Sequence, residues 1–153
     1  MTAGGASSSS FSSSCSSLTS SIAAIDGTDF SPAMLAMASK TGVYRNLIRG
    51  DLTTRIHVVA DAVYDVVVCV GTFTIGHVGS HPALREFFCV TRLGGDVAAT
   101  ILEEVWVSGG FQEEVEALAA EGQVAVVFRE LIDYVKGHSD KAMLVILKMT
   151  TCD

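Results

Sequence analysis

Apolar and polar positions divide this chain into two kinds of material. From Met1 to Ala24 there is no charged side chain, and serine dominates. Phe11, Leu18 and Ile22 are the only large apolar residues after Met1. Such a stretch buries too little surface to offset the entropy of ordering it. Residues 1–21 are therefore expected to be a disordered serine-rich segment, and residues 22–153 a single folded domain.

Beyond Ile22 the pattern alternates between strand and helix. A short apolar entry over 22–28 ends at Asp29. Ser31 then stands as an N-cap, with Pro32 at the first helical position, where a missing N–H costs nothing. The helix "AMLAMA" stops at Thr41-Gly42, and "VYRNLIRGD" predicts a second strand ending at Asp51. "YDVVVCVGTF" (64–73) has an unbroken Val/Cys run, which predicts a strand covered on both faces.

"HPALREFFCVTRL" (81–93) predicts a helix that buries Leu84, Phe87, Phe88 and Leu93, with Gly94-Gly95 beyond it. "DVAATILEEVW" (96–106) predicts the next strand and its exit. "GFQEEVEALAAEG" predicts an amphipathic helix with Phe111, Val115, Leu118 and Ala119 on one face. "QVAVVFRELIDYV" and "KAMLVILKM" predict two strands joined by a turn so short that they must pair antiparallel. The fold class is α/β: a Rossmann-like, doubly wound, mostly parallel sheet closed by a terminal antiparallel hairpin.

Composition narrows the function. The net charge is −7 with no basic tract, which argues against nucleic acid as a partner. No apolar run reaches the ~18 residues of a membrane span. Cys15, Cys69, Cys89 and Cys152 form no Cys-x-x-Cys pair, so free thiols are expected, Cys69 and Cys89 within the core, and no metal site. The first residues lack the basic start and apolar stretch of a secretory signal, so the cytoplasm is the expected compartment. A serine-rich, acid-poor start also fits organelle targeting.

In sheets of this kind ligands lie beyond the carboxyl ends of the strands. Asp29 and Asp51 both fall there. A carboxylate at that edge can accept hydrogen bonds from the two hydroxyls of a ribose, and a second can accept from an adenine amino group. Each is equally able to be a turn or cap aspartate. Phe30 is available to lie on an adenine face. Gly71, after the Val/Cys strand, lets backbone approach a ligand closely. His77 and His81 could act as general bases or be ordinary loop residues. Glu103 and Glu104, ending the next strand, could bind a cationic group or be solvated.

The segments "IDGTDFSPAMLAMA", "GVYRNLIRGDLT", "YDVVVCVGTFTIGHV" and "ILEEVW" together resemble class I S-adenosylmethionine-dependent methyltransferases. Within that class they resemble the methyltransferase-like proteins of the Williams–Beuren region type, over about residues 24–150. The resemblance implies S-adenosylmethionine as cofactor and transfer of its methyl group to a small-molecule acceptor. It implies that Asp29 holds the ribose hydroxyls with Phe30 beside the adenine. Asp51 would lie near the adenine amino group with Leu52 packing there, and Cys69, Val70 and Gly71 beside the methionine part. No catalytic residue is implied.

Members of the family carry a strand and a Gly-x-Gly-x-Gly-type loop roughly 20 residues before the ribose acid in comparable folds. Here the serine tract stands in that place, so the N-terminal strand and its glycine loop are expected to be missing. Strand edges near Ile25 and Val66 would then be unpaired and open to self-association, and cofactor affinity would fall. A non-catalytic truncated relative with an interaction role is one alternative. A nicotinamide-dependent oxidoreductase sharing the ribose acid is another.

Overall fold

The structure, a computed structural model, describes residues 24–55, 59–135 and 138–151. The serine-rich segment 1–21, with Cys15, lies outside the described residues, as does Cys152. The chain divides into two compact units, Met1–Arg49 and Gly50–Asp153.

The first unit is a strand–helix–strand crossover. β1 (Ile25–Asp29) and β2 (Tyr44–Arg49) pair in parallel, with Asp29 opposite Arg49. Between them runs α1 (Pro32–Ser39). It starts as the sequence indicates: Ser31 is the N-cap, its hydroxyl accepts from the Met34 N–H at 3.4 Å, and Pro32 is the first helical residue. No residue of α1 is fully buried. Met34 and Met37 are exposed, and the half-buried residues are Leu35 and Ala38. Gly27 is needed at the centre of β1. A Cβ there would stand 2.9 Å from the Tyr44 ring, closer than real side chains approach.

The second unit is a four-stranded sheet in the order β3-β4-β6-β5, built from β3 (Tyr64–Phe73), β4 (Thr91–Leu102), β5 (Val124–Asp133) and β6 (Lys141–Met149). β3 and β4 are parallel, and β6 runs antiparallel to both β4 and β5. The crossover helix α2 (Ala83–Val90) links β3 to β4, and α3 (Glu103–Ser108) and α4 (Phe111–Ala120) link β4 to β5. Parallel crossovers followed by an antiparallel hairpin make this a Rossmann-like α/β fold.

The core of this unit lies between the helices and one face of the sheet. Leu84, Phe87 and Phe88 of α2 and Phe111, Val115 and Leu118 of α4 meet Val97, Ala99 and Ile101 of β4 and Val145 and Leu147 of β6. The spacing of three and four along each helix puts these residues on one face. Phe73 sits at the centre, with ring centroids 4.7 Å from Phe111 and 5.9 Å from Phe87.

Five sequence expectations change. Within the second unit, among the described residues, β3 is not covered on both faces: Val66, Val68 and Val70 are 53%, 67% and 67% exposed. Among the described residues the helices of this unit cover one face of its sheet, and alternate β3 residues point the other way. Leu93 is exposed and belongs to β4, because the chain turns back into strand at Thr91. Ala119 and Cys89 are likewise exposed. Glu103 and Glu104 do not end a strand but form the first turn of α3, where acids favour the helix dipole.

Candidate functional site

The β1–α1 turn presents Asp29 and Phe30 from the first unit. Asp29 is the last residue of β1, and its Oδ1 accepts from the Ser31 N–H at 2.7 Å. That bond fixes the carboxylate at the strand end and satisfies a backbone donor just before the helix. Oδ2 has no partner among the described residues. Phe30 is 62% exposed, and one face of its ring is taken by the Arg49 guanidinium, 5.3 Å from the centroid. Arg49 Nε also donates to the Phe30 carbonyl at 3.2 Å. Arg49 thus clamps the turn from the end of β2, and its stacking contributes about 0.5–1 kcal/mol at an exposed site.

Sequence reasoning missed Arg49. The available signal was its place at the end of the strand next to the one that ends in Asp29.

Asp51 and Leu52 belong to the second unit, just past the end of β2. Asp51 Oδ1 accepts from both the Thr53 N–H (2.9 Å) and the Thr53 hydroxyl (2.6 Å). The aspartate therefore organises its own turn and keeps one oxygen for other use. The Thr53 hydroxyl and N–H hold its carboxyl below the ordinary aspartate range. The folded-state pKa is depressed, so the contribution of this turn is present above the ordinary value and is lost as pH falls through the folded one. A carboxyl NMR titration should put the Asp51 midpoint below about 3.9, and Thr53→Ala should bring it back toward that value. Leu52 is half-buried against the core of its unit.

Cys69, Val70 and Gly71 lie toward the carboxyl end of β3. Cys69 is buried, and burial pushes its thiol pKa up, so it stays a protonated thiol near neutrality. Val70 is exposed. Gly71 has φ +81°, a conformation that side chains rarely adopt, and its N–H donates to the Thr100 hydroxyl at 3.2 Å. A Cβ on Gly71 would come within 3.3 Å of the Tyr134 hydroxyl. Thr100 and Tyr134 therefore shape this strand end, and their spacing in sequence gave no sign of it. Gly71→Ala should destabilise the protein by about 1–3 kcal/mol in a denaturant melt, from backbone strain and the Tyr134 contact.

His77 and His81 are exposed on the loop after β3, and no partner for either side chain is seen among the described residues. No group of three or more His, Cys, Asp or Glu residues able to hold a metal occurs among the described residues. No helix among them is long and apolar enough to cross a membrane.

Parallel crossovers and a terminal antiparallel hairpin describe a Rossmann-like α/β fold, and the comparisons with known proteins narrow the class. The methyltransferase domain family matches residues 5–99, and the chain belongs to that family. None of the curated proteins matches it.

Among solved structures, the chain is similar to a SAM-dependent methyltransferase from Methanosarcina mazei, at 9% identity and TM-score 0.59, covering 83% of this chain and 82% of that one. It is similar to an S-adenosylmethionine-dependent methyltransferase from Mesorhizobium loti, at 14% identity and TM-score 0.59, covering 82% and 80%. A geranyl diphosphate methyltransferase solved in complex with SAM matches at 12% identity and TM-score 0.57, covering 83% of this chain and 69% of that one. At these identities the likeness is one of fold.

Proposed function

We propose that this chain binds S-adenosylmethionine and serves transfer of its methyl group to a small-molecule acceptor, as a relative of the Williams–Beuren region type. The observation that carries the reading is Asp29. It stands at the end of β1 with Oδ1 fixed by Ser31 and Oδ2 left over, beside the exposed ring of Phe30. A carboxylate held in that way suits the paired hydroxyls of a ribose, and the open face of Phe30 suits a purine.

The other assignments follow the family resemblance. Asp51 and Leu52 are assigned to the adenine amino edge, and Cys69, Val70 and Gly71 to the methionine part. Gly71 suits such a role because it brings backbone without a side chain. Bound S-adenosylmethionine supplies an electrophilic methyl group on a sulfonium, so the chain's own task is to position the acceptor in line with it. The protonated Cys69 thiol has no part as a nucleophile.

A second reading is a relative that lacks the first strand and glycine loop and binds the cofactor weakly without turnover. Its support is the sequence itself, where a serine tract stands in the place that family members give to a Gly-x-Gly-x-Gly-type loop. Calorimetric titration separates the outcomes. Saturable heat with S-adenosylmethionine supports the first reading; heat only near millimolar ligand, with no methyl transfer to a panel of small amines, thiols and hydroxyl compounds, favours the second. No heat at millimolar ligand sinks both.

A further inference from the structure

β3, β4 and β5 all run to the same edge of the second unit's sheet, because β3 is parallel to β4 and β6 is antiparallel to both β4 and β5. In sheets built on parallel crossovers, ligands lie beyond that carboxyl edge. Tyr134 is the first residue past β5. Its N–H donates to the Asp140 carbonyl at 2.9 Å, and the Asp133–Lys141 ion pair, at 2.5 Å, lies just before it. The backbone of Tyr134 is therefore held at the mouth of the hairpin turn.

The side chain is half-buried. In the order β3-β4-β6-β5, β5 stands three strand spacings from β3, about 14 Å. Yet the Tyr134 hydroxyl lies 3.3 Å from the point that a Gly71 Cβ would occupy. The ring is thus turned back toward β3, and its oxygen fills the room that a side chain at position 71 would take.

The neighbouring polar groups are of other kinds. The Gly71 N–H is directed to the Thr100 hydroxyl at 3.2 Å. Cys69 is a buried thiol. Tyr134 adds to this strand end an uncharged oxygen with lone pairs and an electron-rich ring. A carboxylate is best met by cationic or N–H donors, and an ammonium by a carboxylate. A cation without an N–H of its own is best met by an uncharged oxygen and an aromatic ring, and a sulfonium is such a cation.

We propose that the Tyr134 hydroxyl oxygen faces the sulfonium of bound S-adenosylmethionine and makes the protein prefer this cofactor to its uncharged demethylated product, S-adenosylhomocysteine. The inference rests on the assignment of Cys69, Val70 and Gly71 to the methionine part of the cofactor. It adds to that site a residue of the β5–β6 hairpin. The two ligands differ only in the methyl group and the charge it places on sulfur, so Tyr134 favours the ligand before transfer and gains nothing from the one after it. Specificity of this kind is a difference between two affinities.

Calorimetric titration of the full chain with each ligand, for the wild type and for Tyr134→Phe, reads that difference. Tyr134→Phe keeps the ring and removes only the oxygen, and a thermal melt checks the fold. It should weaken S-adenosylmethionine about fivefold and leave S-adenosylhomocysteine within about twofold. A tyrosine with a merely structural role would move both ligands alike, and an unchanged ratio in a folded Tyr134→Phe protein overturns this inference alone. A larger loss for S-adenosylhomocysteine overturns it too. A wild-type chain that binds neither ligand overturns the cofactor assignment and this inference with it.

Discussion

Asp29→Asn should weaken S-adenosylmethionine binding by about tenfold to a hundredfold while leaving the fold intact. The asparagine side-chain oxygen can still accept from the Ser31 N–H, the bond that Asp29 Oδ1 makes at 2.7 Å. The second oxygen is replaced by an NH₂ group, which donates where a ribose hydroxyl needs an acceptor, and the charge is lost. A hydrogen bond to a charged group contributes about 1.5–3 kcal/mol, and each 1.4 kcal/mol is a factor of ten in affinity. Calorimetry gives the affinity and far-UV circular dichroism checks the fold. Unchanged affinity in a folded Asp29→Asn protein would remove Asp29 from the cofactor assignment.

Phe73→Ala should produce the largest loss of stability in the chain. Phe73 is 1% exposed and lies between the rings of Phe87 and Phe111. Truncating a buried phenylalanine costs about 3–5 kcal/mol, from lost transfer energy and the cavity left behind. Against a total of roughly 5–15 kcal/mol this is a substantial share. The melting temperature should drop by more than about 10 °C in a thermal scan. Phe73→Leu keeps most of the volume and should lose much less. The change also reaches the site, since Phe73 anchors the strand end that holds Gly71 two residues earlier.

Much of the fold was legible in the sequence because strong local signals agreed. The limits of β3 follow from its unbroken apolar run, the start of α1 from Ser31-Pro32, and the antiparallel β5–β6 hairpin from its short turn. Errors arose where the signal was not local. The valine run of β3 suggested two covered faces, but burial of the second face depends on what packs there, and Val66, Val68 and Val70 are exposed. Thr91 to Leu93 continue the amphipathic rhythm of α2 yet enter β4, because pairing with β3 wins over helix continuation. The step from β4 into α3 occurs at Leu102 with no capping side chain, so nothing in composition marked it.

The candidate residues divided in the same way. Asp29, Phe30 and Gly71 could be picked out by position and residue type. Arg49, Thr100 and Tyr134 could not, because they reach their partners across strands: Arg49 onto Phe30, and Thr100 and Tyr134 onto Gly71. Asp29 was legible only as a choice between a turn aspartate and a ribose acid. The geometry shows the turn bond from the Ser31 N–H to Oδ1 and no partner for Oδ2 among the described residues, and the ribose role is the proposal built on it.

The most direct test of the cofactor assignment is a calorimetric titration of the full chain with S-adenosylmethionine, run beside Asp29→Asn. The account predicts saturable binding with a Kd of about 10⁻⁵ to 10⁻³ M, weakened at least tenfold by the substitution. Absence of heat up to millimolar ligand, or equal binding by the two proteins, would contradict it.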